Sequence, residues 1–244
     1  LQTAAYPVIV DPTFTDGYGG DATTYKDDHL RAAHSTTNYG TTEYLRIAVG
    51  TGYVILLGFD LSSIDAGATC DSATLYLYAY GPASADGTVY IRRLAAANDG
   101  WTETGATWAH AVEDTVEWAG AAGASVEGTD YIAAVIGSFT YVGTGNGGAG
   151  GDEYAQALTA SAIEDEFDGP VSFHIVSTHT VDNYTTFMSS DYGTAAERPK
   201  LVVEYTEAGG GSASEIAGVA WANVGQFAGV AEANIAQVIG VVAN

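Results

Sequence analysis

The sequence predicts an all-β fold, a sandwich or barrel of many short strands with one short helix and a repetitive C-terminal tail. Short runs rich in Val, Ile, Thr, Tyr and Phe recur along the chain, and turn-forming pairs such as Asp16-Gly17 and Asp86-Gly87 separate them. Short strands separated by turn residues are typical of β-sandwiches and barrels. At 244 residues the chain is long enough for one large β-domain with a small appendage.

Eight segments have the composition of strands. Residues 73–80 alternate most clearly, with Leu75 and Leu77 on one face and Tyr76, Tyr78 and Tyr80 on the other. We expect the leucine face to enter the core and the tyrosine face to form an outward row. In chain order, the predicted strands are Tyr6–Val10, Tyr44–Val49, Val54–Asp60, Ser72–Tyr80, Thr88–Leu94, Val171–Ser177, Thr185–Ser189 and Lys200–Tyr205.

One segment, Leu158–Phe167, is predicted to be helical. Ser161 and Glu164 have the spacing of a capping box, and Asp168-Gly169-Pro170 ends the helix before the next strand. Before this helix, Gly143–Gly151 contains six glycines in nine residues, which predicts a surface loop.

Composition divides the chain into four segments. Residues 1–20 are predicted to be an N-terminal extension or a first strand, residues 21–206 a sandwich, and residues 207–215 a flexible Gly/Ser linker. Residues 216–244 form a tail in which a pattern of 11 residues occurs in two full copies and a third copy of seven residues, aligned without a gap. The tail residues predicted to drive assembly are Ile216, Val219, Trp221, Val224, Phe227, Val230, Ile235 and Val238.

Two conformations fit the repeats of the tail. The spacing of the apolar residues fits a right-handed helical supercoil, but Gly218, Gly229 and Gly240 oppose a helix. Short strands stacked around a symmetry axis are the alternative. Either conformation exposes an apolar stripe that must pack on something else, so we expect a homo-oligomer, such as a trimer, or attachment to a larger capsid or fibre assembly.

The charge balance restricts the classes of partner. The chain has 30 acidic residues against 7 Lys and Arg, a formal net charge of −23 at pH 7. Such a surface repels nucleic-acid backbones and anionic membranes, so neither is expected as a partner. An acidic surface attracts divalent cations and suits an extracellular setting.

The stretch from Asp21 to Tyr205 resembles a known group of domains. Its landmarks resemble those of the jelly-roll modules called DNRLRE domains, which are related to a family of carbohydrate-binding modules and occur in extracellular bacterial, archaeal and phage proteins. The resemblance implies a jelly-roll β-sandwich without its own catalytic machinery. In order, the landmarks are Asn38-Tyr39-Gly40 with Leu45–Val49, Leu57–Ile64, Ser72–Tyr78, Trp101–Trp108, and Phe187–Ser190 with Arg198–Tyr205.

The sequence departs from that family at one informative place. Gly58 precedes Phe59, where the family usually has an arginine or lysine. The repeats of the tail resemble Gly-Val-x-x-Ala-Asn-Ile repeats near the ends of phage structural proteins. This second resemblance implies a virion protein.

Aromatic residues form two candidate binding features. The row of Tyr76, Tyr78 and Tyr80 is a candidate contact for a glycan or a neighbouring subunit, with packing inside the domain as the alternative. Trp101 and Trp108 could stack on sugar rings, but their large apolar area favours core packing.

Candidate metal ligands lie near the start of the domain. Asp21, Asp27, Asp28 and Asn38 are predicted to share one long loop, and oxygen ligands of this kind suit a structural Ca²⁺. The sequence contains no Gly-x-Ser-x-Gly, phosphate-loop or His-Glu-x-x-His motif, so no catalytic residue is predicted.

These observations predict a non-catalytic structural protein of a virion surface or extracellular assembly, in the role of a decoration or fibre component. Its jelly roll faces outward and its tail oligomerises or anchors it. The alternative is a carbohydrate-binding or adhesion module of an extracellular protein, in which the tyrosines bind a polysaccharide.

Overall fold

The computed structural model of the chain describes residues 12–16, 25–48, 52–80, 87–141, 152–178 and 185–207, together with the backbone of four two-residue strands between 215 and 231. The strands of the body are β1 Thr13–Asp16, β2 Lys26–Arg31, β3 Tyr44–Ile47, β4 Tyr53–Asp60, β5 Thr69–Tyr78, β6 Gly87–Arg93, β7 His110–Val112, β8 Val116–Glu117, β9 Gly137–Tyr141, β10 Glu153–Leu158, β11 Pro170–Ser177, β12 Thr185–Met188 and β13 Lys200–Thr206. The helix α1 spans Ala160–Glu164, and 3-10 helices span Ala32–His34, Ala96–Asn98 and Ala195–Glu197.

Two antiparallel sheets form the body of the protein. The first sheet has the order β1-β13-β5-β10, and the second has the order β2-β4-β11-β6-β9. Successive strands cross between the sheets, since β4 and β6 lie in the second sheet and β5 in the first, and β9 and β11 lie in the second and β10 in the first. This alternation is that of a jelly roll, so the predicted all-β sandwich is confirmed.

The main core lies between the two sheets. It contains Leu75 and Leu77 of β5, as the alternation predicted, packed with Leu57 of β4 and Phe173 of β11. Each of these four side chains is at most 1% exposed. Burial of one such side chain contributes roughly 1.5–3 kcal/mol, so this layer holds the sheets together.

A second core covers the outer face of the second sheet. Leu56 of β4 points away from the first sheet and packs with Trp101 and Trp118, which belong to the long connection between β6 and β9. Because β4 is therefore buried on both faces, its sequence is continuously apolar instead of alternating. This cover explains why residues 53–59 read Tyr-Val-Ile-Leu-Leu-Gly-Phe.

The structure corrects the predicted helix. Leu158 is the last residue of β10, where it pairs with Ala73, and only Ala160–Glu164 is α-helical. The predicted capping box does not form, because the N-cap is Thr159 and Ser161 lies inside the helix. A carboxylate oxygen of Glu164 accepts the backbone N–H of Cys70 at 2.8 Å. The side chain of Glu164 thus fastens α1 to β5.

Six strands of the body were not predicted, namely β1, β2, β9 and β10 of the two main sheets and the short pair formed by β7 and β8. β1 lies inside the predicted N-terminal extension and pairs with β13, and β2, β9 and β10 complete the sheets. β2 consists of Lys-Asp-Asp-His-Leu-Arg, and β10 is rich in Ala, Glu, Gln and Leu, so neither has the composition of a strand. The predicted strand Tyr6–Val10 and the predicted loop Gly143–Gly151 lie outside the described residues.

The described backbone of the tail is made of short strands. β14 Glu215–Ile216 pairs with β15 Val219–Ala220, and β16 Gln226–Phe227 pairs with β17 Val230–Ala231. The second pair repeats the first 11 residues later, which is the predicted period. Of the two conformations considered for the repeats, strands rather than a helix are therefore found at these positions.

Candidate binding surface

The predicted tyrosine row lies on the outer face of β5, but its members differ in exposure. Tyr78 is only 8% exposed, and its hydroxyl hydrogen-bonds to the carboxylate of Glu153 on β10. Tyr76 is half-buried, with the ammonium group of Lys200 lying 4.3 Å from its ring centre. Tyr80, just beyond β5, is 38% exposed. The row thus divides into packed tyrosines within the sheet and an open one at its end.

Tyr80 joins a second group of aromatic rings. Its ring centre lies 5.6 Å from that of Tyr44 on β3 and 5.8 Å from that of Tyr192. β3 reaches this position because it pairs with β12, whose Thr186 carbonyl accepts the backbone N–H of Tyr80 at 2.8 Å. Within β3, Leu45 and Ile47 are fully buried, so the alternation directs Tyr44 and Arg46 outward.

The group continues along the end of β2. Arg31, the last residue of β2, lies over the ring of Tyr53 at 5.3 Å, and its guanidinium approaches His34 Nδ1 at 3.3 Å. The same nitrogen of His34 lies 2.5 Å from the hydroxyl of Tyr39. We call the whole group the tyrosine–arginine surface, and it consists of Arg31, His34, Tyr39, Tyr44, Arg46, Tyr53, Tyr80 and Tyr192. Among these residues Tyr53 is buried.

Most of the scarce cations of this chain lie over aromatic rings. Arg46 lies 4.5 Å from the ring centre of Tyr44 and also donates to its hydroxyl at 3.1 Å. Among the contacts between described residues, five of the seven Lys and Arg residues have such a ring partner, and two of the five belong to the tyrosine–arginine surface. Each contact is worth about 0.5–1 kcal/mol when exposed. The guanidiniums on this surface are therefore oriented beside aromatic faces.

The predicted metal ligands are placed differently from the expectation. Asp27 and Asp28 belong to strand β2 and are fully buried, whereas Asn38 lies in the following turn and Asp21 lies outside the described residues. Within the described part of the chain, no group of three or more His, Cys, Asp or Glu residues is arranged to hold a metal ion. The prediction that these residues share one loop was wrong. Asp27 and Asp28 lie on β2, an edge strand whose charged sequence does not have the composition of a strand.

Hydrogen bonds of Asp28 and Asn38 stabilise the turn that follows β2. One carboxylate oxygen of Asp28 accepts the backbone N–H groups of His29 at 2.6 Å and Tyr39 at 3.2 Å, and the other accepts from the Asn38 amide at 3.0 Å. The Asn38 amide also donates to the carbonyls of Glu103 and Ala106 at 2.6 and 2.7 Å. Burial raises the pKa of Asp28 to about 8 in spite of these hydrogen bonds. These contacts position Tyr39 on the tyrosine–arginine surface.

Asp27 joins β2 to the segment that carries Tyr192. Its Oδ2 accepts the backbone N–H of Ser190 at 2.6 Å and the hydroxyl of Tyr25 at 3.0 Å. Its own backbone N–H donates to a carboxylate oxygen of Glu103 at 3.1 Å, while Asp27 Oδ1 has no hydrogen-bond partner among the described residues. Burial raises the pKa of Asp27 to about 7, with Glu103 adding repulsion.

The tryptophans are mostly structural. Trp101 is 1% exposed and donates its indole N–H to Ser172 at 3.1 Å, so the prediction of core packing is confirmed for this residue. Trp108 is half-buried, and its ring lies against Gly123. Asp130 organises the same cover, because its carboxylate accepts the backbone N–H groups of Gly120, Ala121 and Val126 at 2.7–3.0 Å.

Sequence reasoning found only Tyr80 of the tyrosine–arginine surface. The alternation of β3 carried a signal for Tyr44 and Arg46, since Leu45 and Ile47 had to face the core. Arg31 and Tyr39 gave no such signal, because their contacts join separate segments. Of the predicted tail residues, Ile216 pairs with Val219 and Phe227 with Val230 along the backbone, and Trp221, Val224, Ile235 and Val238 lie outside the described residues.

No helix among the described residues combines the length and the hydrophobicity needed to cross a membrane. No curated protein matches the chain. A family model described as the disaggregatase related repeat domain matches residues 27–203, which contain the sandwich from β2 into β13 and every residue of the tyrosine–arginine surface. The resemblance to DNRLRE domains stays a prediction beside this match. Since the match covers well over half of its length, the chain belongs to the disaggregatase related repeat domain family.

Proposed function

We propose that this chain is a non-catalytic surface protein that binds a polysaccharide through the tyrosine–arginine surface. The observation that carries the proposal is the placement of Arg46 against Tyr44, beside the exposed ring of Tyr80. The sugar ring offers apolar C–H faces that pack on aromatic rings and hydroxyls that accept hydrogen bonds from guanidinium groups. The surface supplies both groups side by side, on a rigid sandwich.

The rigidity of the surface supports this proposal. Tyr44 and Arg46 lie on paired strands, and the backbone N–H of Tyr39 donates a hydrogen bond to Asp28. A site whose side chains are already held in place loses little conformational entropy when a ligand binds. Polysaccharide binding thus needs no rearrangement of the sandwich.

The tail supports a second role, attachment to an assembly. The strand pairs β14–β15 and β16–β17 recur with a period of 11 residues, and the tail sequence contains very few charges. Repeated units of this kind gain stability by stacking on further copies. In this role the chain is a homo-oligomer or a component of a virion or cell-surface assembly, with the sandwich displayed outward.

Retention on immobilised polysaccharides tests the binding proposal. The wild-type chain is applied to cellulose, chitin, xylan, dextran and hyaluronan, and Arg46→Ala and Tyr80→Ala are compared on the best retained polymer. We expect each variant to lose at least tenfold in affinity with an unchanged melting temperature. Arg92→Ala is the matched control, because Arg92 lies over Tyr90 at 5.6 Å outside the surface. Equal affinities of wild type, Arg46→Ala and Arg92→Ala would contradict the proposal.

The name of the family points to the competing function. Since that name refers to a disaggregatase, a role of the chain in polymer cleavage is the alternative. Release of new reducing ends from the retained polysaccharide distinguishes the two functions. We expect retention without release, and a steady release that depends on this chain would replace the proposal by an enzymatic function.

A further inference from the structure

Glu103 contacts two segments that carry tyrosines of the tyrosine–arginine surface. It belongs to the connection between β6 and β9 and is half-buried. One of the segments is the turn after β2, residues 38–40, which contains Tyr39. The other is the segment after β12, residues 189–192, which contains Tyr192. A residue that is not part of the surface thus contacts two parts of it.

The backbone of Glu103 packs against the turn after β2. Its carbonyl accepts a hydrogen bond from the side-chain amide of Asn38 at 2.6 Å. Gly40 lies against the same carbonyl, because a Cβ on Gly40 would overlap this oxygen and lie 2.8 Å from Cγ of Glu103. A backbone carbonyl cannot rotate away from such an overlap as the end of a long side chain can. Tyr39 lies between these two contacts, so they fix its backbone.

The carboxylate of Glu103 holds the segment after β12. Its Oε1 accepts the backbone N–H of Asp27 at 3.1 Å and the hydroxyl of Ser190 at 3.4 Å. The backbone N–H of Ser190 in turn donates to Asp27 Oδ2 at 2.6 Å. Tyr192 follows two residues later, and its backbone N–H donates to the carbonyl of Ser189 at 3.2 Å. One carboxylate oxygen therefore joins β2 to the segment that carries Tyr192.

The other tyrosines of the surface are fixed by the sheets. Tyr44 lies on β3 and Tyr53 on β4, and the backbone N–H of Tyr80 donates to β12. Tyr39 and Tyr192 lie outside the strands. Residues in connecting segments depend on contacts with neighbouring segments for their position. For Tyr39 and Tyr192, Glu103 supplies such contacts.

We propose that Glu103 is a positioning residue for polysaccharide binding: it fixes Tyr39 and Tyr192 within the tyrosine–arginine surface, so that the connection between β6 and β9 shapes a surface to which it contributes no ring. This inference rests on the function proposed above. A ring that must first be ordered adds less affinity, because the lost conformational entropy offsets the contact with the sugar. Loss of the contacts of Glu103 therefore weakens binding without removing a group of the surface.

Two substitutions of Glu103 test the role of its carboxylate. Glu103→Gln keeps an oxygen that can accept from Asp27 and Ser190, whereas Glu103→Ala removes it. Asp130→Asn is the stability control, because Asp130 accepts three backbone N–H groups within the same connection. Retention on the best retained of the five polysaccharides and the melting temperature are measured for each variant.

We expect Glu103→Ala to lose about tenfold in affinity, because Tyr192 must then be ordered on binding. Glu103→Gln is expected to bind like the wild type, and Asp130→Asn to bind like the wild type with a lowered melting temperature. This pattern separates positioning from stability. An unchanged affinity of Glu103→Ala, or an equal loss of affinity in Asp130→Asn, would overturn the inference.

A pair of glycine variants tests the contact of the turn independently. Gly40 follows Tyr39 and Gly193 follows Tyr192, and neither has a positive φ. A Cβ on Gly40 overlaps the carbonyl of Glu103, whereas one on Gly193 meets no atom within 4 Å. We expect Gly40→Ala to lose about tenfold in affinity and Gly193→Ala to bind like the wild type. Equal affinities of the two variants would contradict the role of the Glu103 backbone, and this pair does not depend on the folding of Glu103→Ala.

A second readout separates this inference from the proposed function. The NMR shifts of the ring protons of Tyr39 and Tyr192 are compared without polysaccharide, with Tyr90, which lies outside the surface on β6, as the reference. We expect Glu103→Ala to shift the signals of Tyr192 and Gly40→Ala to shift those of Tyr39, with Tyr90 unchanged in both. Unchanged signals of Tyr39 and Tyr192 would overturn the role of Glu103. A wild-type chain that retains none of the five polysaccharides overturns the proposed function, while the shifts still decide whether Glu103 positions the two tyrosines.

Discussion

Asp27 is a carboxyl group that the fold keeps out of water on an edge strand. Ionised acids are rare in such positions, and an inward-pointing charge on an edge strand hinders pairing with another chain. The pKa of Asp27 is raised to about 7, mainly by burial. A group whose pKa is higher in the folded chain stabilises the fold fully below its unfolded value, near 4, and this stabilisation is lost as the pH rises through 7.

Asp27→Asn is therefore expected to stabilise the protein at pH 8 and to leave its stability unchanged at pH 4. The amide is neutral at every pH, and its oxygen can accept the N–H of Ser190 and the hydroxyl of Tyr25. The shift from 3.8 to about 7 sets an upper limit of about 4 kcal/mol for the gain. Urea unfolding at the two pH values measures it.

The control for this prediction is Glu127→Gln, which removes one negative charge from an exposed position. It should change the free energy of unfolding by less than about 0.5 kcal/mol at both pH values. If Asp27→Asn and the wild type show the same dependence on pH, the buried carboxyl of Asp27 is not the titrating group.

At the scale of elements, the connection between β6 and β9 forms a layer outside the two main sheets. It carries Trp101, Trp108 and Trp118 and covers the outer face of β4. Its turns depend on backbone conformations that favour glycine, at Gly123 and Gly128, both with φ of +77°. Only Gly123 faces a side chain, since a Cβ there would lie 2.5 Å from the Trp108 ring.

Gly123→Ala and Gly128→Ala form a matched pair. Both introduce a Cβ at the same φ, which costs about 1–2 kcal/mol. A Cβ at Gly128 meets no atom within 4 Å, whereas one at Gly123 must displace the indole, which adds about 1–3 kcal/mol. Thermal unfolding should therefore rank the stabilities as wild type, Gly128→Ala and Gly123→Ala. Equal destabilisation of the two variants would show that the contact of a Cβ at position 123 with the Trp108 ring adds no cost.

At the scale of the whole molecule, the proposed assembly role of the tail leads to a prediction about mass. Removal of residues 207–244 is expected to convert a multimer into a folded monomer, because the repeats carry an apolar stripe with almost no charge. Light scattering of the intact and shortened chains measures the mass, and circular dichroism shows whether the sandwich is retained. If the intact and the shortened protein contain the same number of chains per particle, the tail acts as a linker. Polysaccharide binding is then the only proposed function that remains.

Local patterns in the sequence determined the fold class and part of the surface. Side chains alternate across a strand with a period of two, so β5 and β3 could be oriented from Leu75, Leu77, Leu45 and Ile47 alone. The strand β10 could not, because its Ala, Gln and Leu residues favour a helix and only its pairing with β5 makes it a strand. The predicted helix began too early, at Leu158, for the same reason.

The tyrosine–arginine surface was decided mainly by tertiary structure. Tyr80, Tyr44 and Tyr192 come from three distant segments that meet only because β12 pairs with β3 beside the end of β5. The burial of Asp27, Asp28 and His29 likewise depends on residues such as Asn38, Glu103 and Ser190 that cover β2. Sequence by itself determined which faces of the strands are apolar, since that is a local property. Contacts between segments, and the pKa values that burial shifts, are long-range properties, and only the folded chain decides them.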